Sequence, residues 1–201
     1  ESLPKKETAK GPMHPPFEQG NCTTCHDPHG GGGAHHLADA SSSKLCSSCH
    51  TAITAAGKPG EIQHAAMDGA DCLDCHGGHA SEHGALLKKT EGEVCADCHE
   101  KQPFAVGHPP YMTSTCGSCH ANHARKPKLF AKDAKTVCGT CHPEQLSLSG
   151  GARFPHPPTK DEDCLSCHAG HGSAHKGLLT ENQKELCATC HDTGELAKKT
   201  T

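Results

Sequence analysis

The sequence predicts a chain with little regular secondary structure, mostly loops with short helices, arranged as four tandem repeats in an extended array. Three observations predict it. All sixteen cysteines fall in eight C-x-x-C-H pentapeptides. Those pentapeptides come in four pairs of similar spacing. Leu, Ile, Val and Phe together number 23 of 201 residues, with no Trp and one Tyr, too few for a chain to build its own apolar core.

The cysteine pairs are Cys22 and Cys25, Cys46 and Cys49, Cys72 and Cys75, Cys95 and Cys98, Cys116 and Cys119, Cys138 and Cys141, Cys164 and Cys167, and Cys187 and Cys190. The histidines directly after them are His26, His50, His76, His99, His120, His142, His168 and His191. A C-x-x-C pair alone can be half a zinc site, a redox disulfide or a structural bridge. None of these needs histidine as the next residue, and chance would place all eight about once in 10^8. The pentapeptide is the attachment site of a c-type haem. Two thiols add to the porphyrin vinyl groups and the adjacent histidine ligates the iron. Cysteines at i and i+3 share one face of a helical turn, as two anchors on one flat ring require. Eight covalently attached haem c are expected, with zinc the one rival. The cofactors then supply the missing core, so folding is coupled to their attachment.

Aligned on their first cysteines, the repeats open HPPFEQGNCTTCHDPH, HAAMDGADCLDCHGGH, HPPYMTSTCGSCHANH and HPPTKDEDCLSCHAGH. Each ends on a second motif: KLCSSCH, EVCADCH, TVCGTCH or ELCATCH. First cysteines lie 50, 44 and 48 residues apart, and the two motifs of one repeat 22 to 24 apart. The two-haem units are 14–50, 64–99, 108–142 and 156–191, between tails at 1–13 and 192–201, forming one cooperative haem-array domain. Linkers at 51–63, 100–107 and 143–155 carry Gly57, Pro59, Gly60, Pro103, Gly107, Pro143, Gly150, Gly151 and Pro155.

Helical turns are expected around 93–100 and 183–191. Thr90 with Glu93, and Thr180 with Gln183, have capping-box spacing. The run Gly30–Gly33 reads as a flexible loop. At roughly 25 residues per haem no unit can wrap its cofactors. Neighbouring haems must sit against each other, giving an extended linear array of stacked haems built from four two-haem repeats.

Twelve histidines lie outside the motifs. One class stands eight residues before the first cysteine: His14, His64, His108 and His156. The other stands three after the motif histidine: His29, His79, His123 and His171. Two classes in four repeats give one second axial ligand per iron, so all eight haems read as bis-histidine. Three residues span at most ~10 Å, too little to pass round a porphyrin edge, so the second class serves another haem. His35, His36, His83 and His175 are surplus. They read as exposed or propionate-bonded, unless one serves a haem of a neighbouring molecule. Met13, Met67 and Met112 are too few and too irregular for ligands and read as gap-fillers.

The pattern H-P-P-x5-C-x-x-C-H-x-x-H, followed about twenty residues on by a second C-x-x-C-H, resembles the doubled-motif multihaem c-type cytochromes of metal-reducing and sulfate-reducing bacteria and some archaea. The resemblance covers about residues 14–191. It implies an electron-transfer protein: a periplasmic carrier, a wire threaded into an outer-membrane porin, or a subunit of an extracellular cytochrome filament. In such filaments the haem chain runs across subunits, with a histidine sometimes given by the next protomer. Fourfold repetition, surplus histidines and a thin polypeptide coat favour the wire or filament subunit. A soluble periplasmic or porin-associated carrier is the alternative. A multihaem oxidoreductase is remote, because every motif ends in histidine, the distal supply is complete, and only Arg125 and Arg153 could grip an anion.

No apolar run is long enough to span a membrane. The start at Glu1-Ser2-Leu3-Pro4 suits a chain whose secretory leader has been removed, and haem c is attached outside the cytoplasm. The expected location is extracytoplasmic, extracellular or outer-surface before periplasm. The formal charge is −4. Sixteen propionates and eight ferric centres bring the total to roughly −12 oxidised and −20 reduced. The lysines, Lys198 and Lys199 included, are scattered, and no basic patch suggests nucleic acid. Partners are therefore redox proteins and identical subunits end to end, docked by salt-sensitive polar contacts.

Overall fold

The structure is a computed structural model that describes residues 9–54, 61–67, 71–123, 127–151, 153–154, 156–160 and 164–192. Most of both tails lies outside these, as do Gly57, Pro59, Gly60, Arg125, Pro155, Lys198 and Lys199. The chain divides into two compact units, Glu1–His99 with Asn122–Leu129, and Glu100–Ala121 with Phe130–Thr201.

Short helices and loops make up both units. Three repeats open on His-Pro-Pro, and the prolines preset φ for a first helical turn: α1 (Pro15–Glu18) in repeat 1, α6 (Pro109–Met112) in repeat 3 and α9 (Pro157–Lys160) in repeat 4. Repeat 2 has alanines there and forms only the 3-10 turn Ala65–Met67. First motifs are 3-10 turns at Cys22–Thr24, Cys116–Ser118 and Cys164–Ser166. In repeat 2 the motif is a full α-turn, α4 (Cys72–Cys75), because Asp71 and Asp74 form a capping box around it.

Second motifs sit at the ends of four six-residue helices: α2 (Ser42–Ser47), α5 (Glu91–Ala96), α7 (Ala134–Gly139) and α10 (Gln183–Ala188). Their N-caps are Ser41, Thr90, Asp133 and Asn182; the side chains of Ser41, Asp133 and Asn182 accept from orphan N–H groups, while the Thr90 N–H donates to Glu93 Oε2 at 3.0 Å. Thr90 and Glu93 form the expected capping box. Thr180 and Gln183 do not. Gln183 is the first helical residue, and Asn182 Oδ1 accepts from Glu185 N–H at 3.0 Å instead.

Both α3 (Thr51–Thr54) and α8 (Pro143–Gly151) lie in stretches read as linkers. α8 survives Gly150 and Gly151 because Pro143 and Glu144 suit its first turn. It also packs on α7, where Leu146 lies against Gly139 and leaves no room for a β-carbon. The glycine run Gly30–Gly33 has a similar cause. A β-carbon on Gly31 or Gly33 would meet the carbonyls of Leu37 or Asp39, and Gly30 has φ +113°.

Among the described residues one two-stranded ladder forms, β1 (Val106–Gly107) antiparallel to β2 (Gly172–Ser173), with Val106 opposite Ser173 and Gly107 opposite Gly172. Among the described residues no hydrophobic side chain is buried, and the buried ones are Ser42 and Ser173. The described residues enclose no apolar core of their own.

Candidate haem sites

Each pentapeptide is one closed helical turn. The N–H of every motif histidine donates to the carbonyl of the first cysteine, four residues back, at 2.8 to 3.0 Å for all eight. The two thiols and the imidazole are thereby fixed relative to one another by local backbone. None of the sixteen cysteines forms a disulfide.

A returning strap holds each first-motif histidine from behind. His26, His76, His120 and His168 bridge Leu37, Leu87, Phe130 and Leu179. At the strap's turn two consecutive residues take left-handed φ: His35 and His36, Ala85 and Leu86, Lys128 and Leu129, Gly177 and Leu178. Only one of these eight is glycine. Such backbone costs ~1–2 kcal/mol per residue and persists where the surroundings impose it. Its product is a placed carbonyl. The imidazole Nδ1–H of His26, His76 and His168 donates to the carbonyls of His35 (3.0 Å), Ala85 (2.8 Å) and Gly177 (2.9 Å). A proton held on Nδ1 leaves Nε2 with its lone pair for a metal, the usual outer-shell device.

The two classes of non-motif histidine meet motif histidines in a regular way. Those eight residues before the first cysteine face the second motif of their own repeat. His14 pairs with His50 at 6.0 Å between ring centroids, His64 with His99 at 5.8 Å, His108 with His142 at 6.2 Å and His156 with His191 at 5.9 Å. Those three residues after a motif face the first motif of the preceding repeat. His79 pairs with His26 at 5.8 Å, His123 with His76 at 6.0 Å and His171 with His120 at 5.8 Å. Six of these seven pairs are within 20° to 30° of parallel, and the last is tilted by 57°.

The separation suits one iron between two imidazoles. Two metal–nitrogen bonds of about 2 Å, plus the distance from each nitrogen to its ring centre, sum to roughly 6 Å. Burial, and then the facing motif histidine, lower the pKa of His79, His123 and His171 below the usual histidine range. The shift favours the neutral ring, the form that ligates. By contrast, among the described residues no group of three or more His, Cys, Asp or Glu is gathered as a closed zinc site would need. The cysteine pairs and facing imidazoles fit haem c.

A matching family model decides the assignment. The doubled C-x-x-C-H motif model matches residues 14–55, 64–104, 108–146 and 156–196. This chain belongs to the doubled C-x-x-C-H family. It is a multihaem c-type cytochrome with eight attachment sites for haem c. It is also similar to the multiheme cytochrome MtrA of Shewanella baltica (strain OS185), 31% identical over 145 residues, 62% of this chain and 42% of that one. The chain thus spans less than half the length of this relative.

The attachment sites of this doubled-motif cytochrome follow one another within each unit. Burial and the neighbouring Cys49 push the Cys25 thiol up. Cys46 is pushed up to about 11 by burial and by Cys72, with which it shares a side-chain hydrogen bond. Cys75 is raised by burial, by Asp74 and by Cys98. In the other unit burial and Cys164 raise Cys138, and Cys119 adds to it. The anchors of sites one to four, and of five to seven, are thus successive neighbours.

The surplus histidines serve the straps. His35 presents the carbonyl for His26. His83 and His175 open the corresponding turns in repeats 2 and 4, their N–H groups donating to Ser81 and Ser173 Oγ at 3.0 Å. Met13 bridges Ala80, and Met112 lies against Gly107. The strap carbonyls escape sequence reading because a carbonyl has no residue type. Only the recurrent spacing of nine residues from motif histidine to acceptor betrays them.

Proposed function

We propose that this cytochrome carries electrons along a chain of eight bis-histidine haems as a subunit of an extracytoplasmic wire. Each haem, once bound, supplies reversible one-electron chemistry at an iron whose axial positions are taken by histidine. The ligands are the eight motif histidines with His14, His29, His64, His79, His108, His123, His156 and His171. Residues 14–50, 64–99, 108–142 and 156–191 act as two-haem units. The observation that carries this reading is the ring-pair pattern, in which each repeat supplies one histidine to itself and repeats 2, 3 and 4 each supply one to the repeat before. Such a pattern links consecutive haems rather than isolating them. The successive thiol neighbours support the same order.

The chain's own residues keep the irons from reorganising. Thioether anchors sit on closed helical turns, and strap carbonyls lock the imidazole tautomer. Facing rings at seven of the eight motif histidines would leave those irons no open position for a substrate, which argues for electron transfer and against catalysis. Redox proteins and further copies of the chain are the partners, and the outer surface is preferred to the periplasm as the location. Among the described residues no helix is long and apolar enough to cross a membrane.

Redox titration of the purified protein followed by visible absorbance, with negative-stain imaging of the same sample, tests the proposal. The expected result is eight electrons taken up over a broad, continuous potential range by low-spin haem in end-to-end assemblies. Discrete single molecules with the same titration would support a diffusing carrier instead. A stoichiometric high-spin haem that turns over a substrate would mean an enzyme.

A further inference from the structure

Tyr111 is the one tyrosine of the chain, and it touches both a candidate ligand histidine and a cation. Its ring stacks on His171, centroids 4.7 Å apart at 24°. The ammonium of Lys101 lies over the same ring, 5.5 Å from its centroid, within reach of a cation–π contact. His171 in turn faces the motif histidine His120. Both contacts of Tyr111 are built into the fold. Its hydroxyl accepts from Gln102 N–H at 2.6 Å and donates to Gln102 O at 3.2 Å. The Lys101 ammonium donates to Met112 O at 2.6 Å and to Ser114 Oγ at 3.2 Å. Phe104 packs edge-on against Tyr111 and leaves no room for a β-carbon on Gly172. Pairing of β1 with β2, and His108 N–H donating to His171 O at 2.9 Å, tie this segment to the loop that carries His171. Among the described residues no carboxylate pairs with Lys101, so its charge stands uncancelled.

We propose that Lys101 raises the reduction potential of the haem held by Cys116, Cys119, His120 and His171, and so makes it a site where electrons dwell. This rests on the bis-histidine reading above. A ferric haem carries one positive charge more than a ferrous one, so a cation close by disfavours the oxidised form. Lys101 ligates nothing. It positions a charge across the Tyr111 ring, where the matter between charge and ligand is aromatic stack rather than water, and screening is correspondingly weaker.

Repeat 1 supplies the comparison within the same molecule. There Phe17 rests on His79 as Tyr111 rests on His171, and His14 N–H donates to His79 O at 2.7 Å as His108 does to His171. Among the described residues no cation lies over the Phe17 ring. Lys10, in the segment that leads to His14, is paired with Glu82 at 3.4 Å. The residue seven before His14, where Lys101 stands before His108, is Glu7, which lies outside the described residues. The two sites thus share ligand types and an aromatic support, and differ in the charge placed on that support. In a row of otherwise similar centres, the one beside Lys101 is reduced earlier and oxidised later.

The test is redox titration of the holo-protein, followed by visible absorbance, for wild type, Lys101→Met and Lys101→Arg. Methionine keeps much of the length and loses the charge, whereas arginine keeps the charge. In Lys101→Met one haem's share of the absorbance change should move to lower potential, the rest staying in place. In Lys101→Arg the curve should follow wild type. Low-spin g-values should agree in all three proteins, because Gln102 still holds Tyr111. A Lys101→Met curve that superimposes on wild type would overturn the proposal. So would an equal shift in Lys101→Arg, which would assign the effect to the bonds with Met112 and Ser114 and not to charge. His171→Ala tells this failure from failure of the ligand reading. One high-spin haem in that variant upholds ligation by His171, and eight low-spin haems overturn that ligation and the proposal with it.

Discussion

The ring of Phe17 lies on that of His79, centroids 4.8 Å apart at 39°. Tyr111 repeats the arrangement on His171, at 4.7 Å and 24°. Both aromatics stand three residues after a His-Pro-Pro histidine, in repeats 1 and 3, and each rests on a histidine of the next repeat. Each presses its partner imidazole toward a motif histidine and fixes the plane of the ring. Repeats 2 and 4 carry Met67 and Thr159 in that place.

Phe17→Ala should leave eight haems and all sixteen thioethers intact while freeing the His79 ring to rotate. Low-temperature paramagnetic resonance should then show altered g-values for one low-spin haem. Tyr111→Phe keeps the ring and loses the hydroxyl that accepts from Gln102 N–H at 2.6 Å. Its g-values should stay as in wild type, with about 1 kcal/mol of stability lost.

His79→Ala and His83→Ala separate a ring that faces a motif histidine from one that does not. The first should give one high-spin haem that takes up added imidazole. The second should keep its spectrum, because His83 contributes its backbone N–H to Ser81 Oγ rather than its ring. High-spin haem in His83→Ala alone would reverse the assignment.

Ala85→Gly addresses the strap. Ala85 has φ +53°, a conformation glycine adopts at no steric cost. Against the extra chain entropy of glycine, the net gain should be about 0.5–1 kcal/mol. A thermal melt of the holo-protein should show a raised midpoint with the haem spectrum unchanged. A lowered midpoint would mean that the turn is not strained.

The Asp71 carboxyl gives a pH signature. A hydrogen bond from Ser42 Oγ, then one from Leu73 N–H, hold its pKa below the usual carboxylate value. A depressed folded pKa stabilises the protein above pH ~4 and loses that contribution as pH falls through the folded value. Ser42→Ala removes the larger cause. Denaturant midpoints measured at pH 7 and pH 3 should differ less in the variant than in wild type.

Replacing both Cys72 and Cys75 by alanine should remove one haem and open repeat 2 to proteolysis. With no hydrophobic side chain buried among the described residues, no apolar core holds that segment. Native protease resistance with seven haems would show a protein core where none is described.

How far the sequence carried differs from feature to feature. The absence of long elements follows from composition, and the anchors from the C-x-x-C-H motif. Polar N-caps were legible where a Thr and a Glu have capping-box spacing, at Thr90 and Glu93, but near repeat 4 the same spacing chose Thr180 over Asn182. Spacing sent His79 to some motif other than its own, and it faces His26. Which motif it meets depends on how repeats stack, and no local pattern encodes that. The left-handed straps were hidden because residues such as His35, Ala85 and Lys128 carry none of the glycine signature that usually marks such φ values. α8 was hidden because two glycines disguise a helix that is supported from outside by α7.

The closeness of Cys46 to Cys72, and of Cys138 to Cys164, sets a hazard for the chain while it matures. Before a porphyrin arrives, thiols of two different motifs lie side by side, and an oxidant would join them into a cross-link that blocks two sites at once. Attachment therefore has to outrun oxidation. The raised pKa of Cys46 and Cys138 helps, since a thiol kept protonated is a poor nucleophile toward a disulfide. The spacing that sets neighbouring attachment sites side by side thus makes the protein's biosynthesis a race, run on the reducing power available at the moment of assembly.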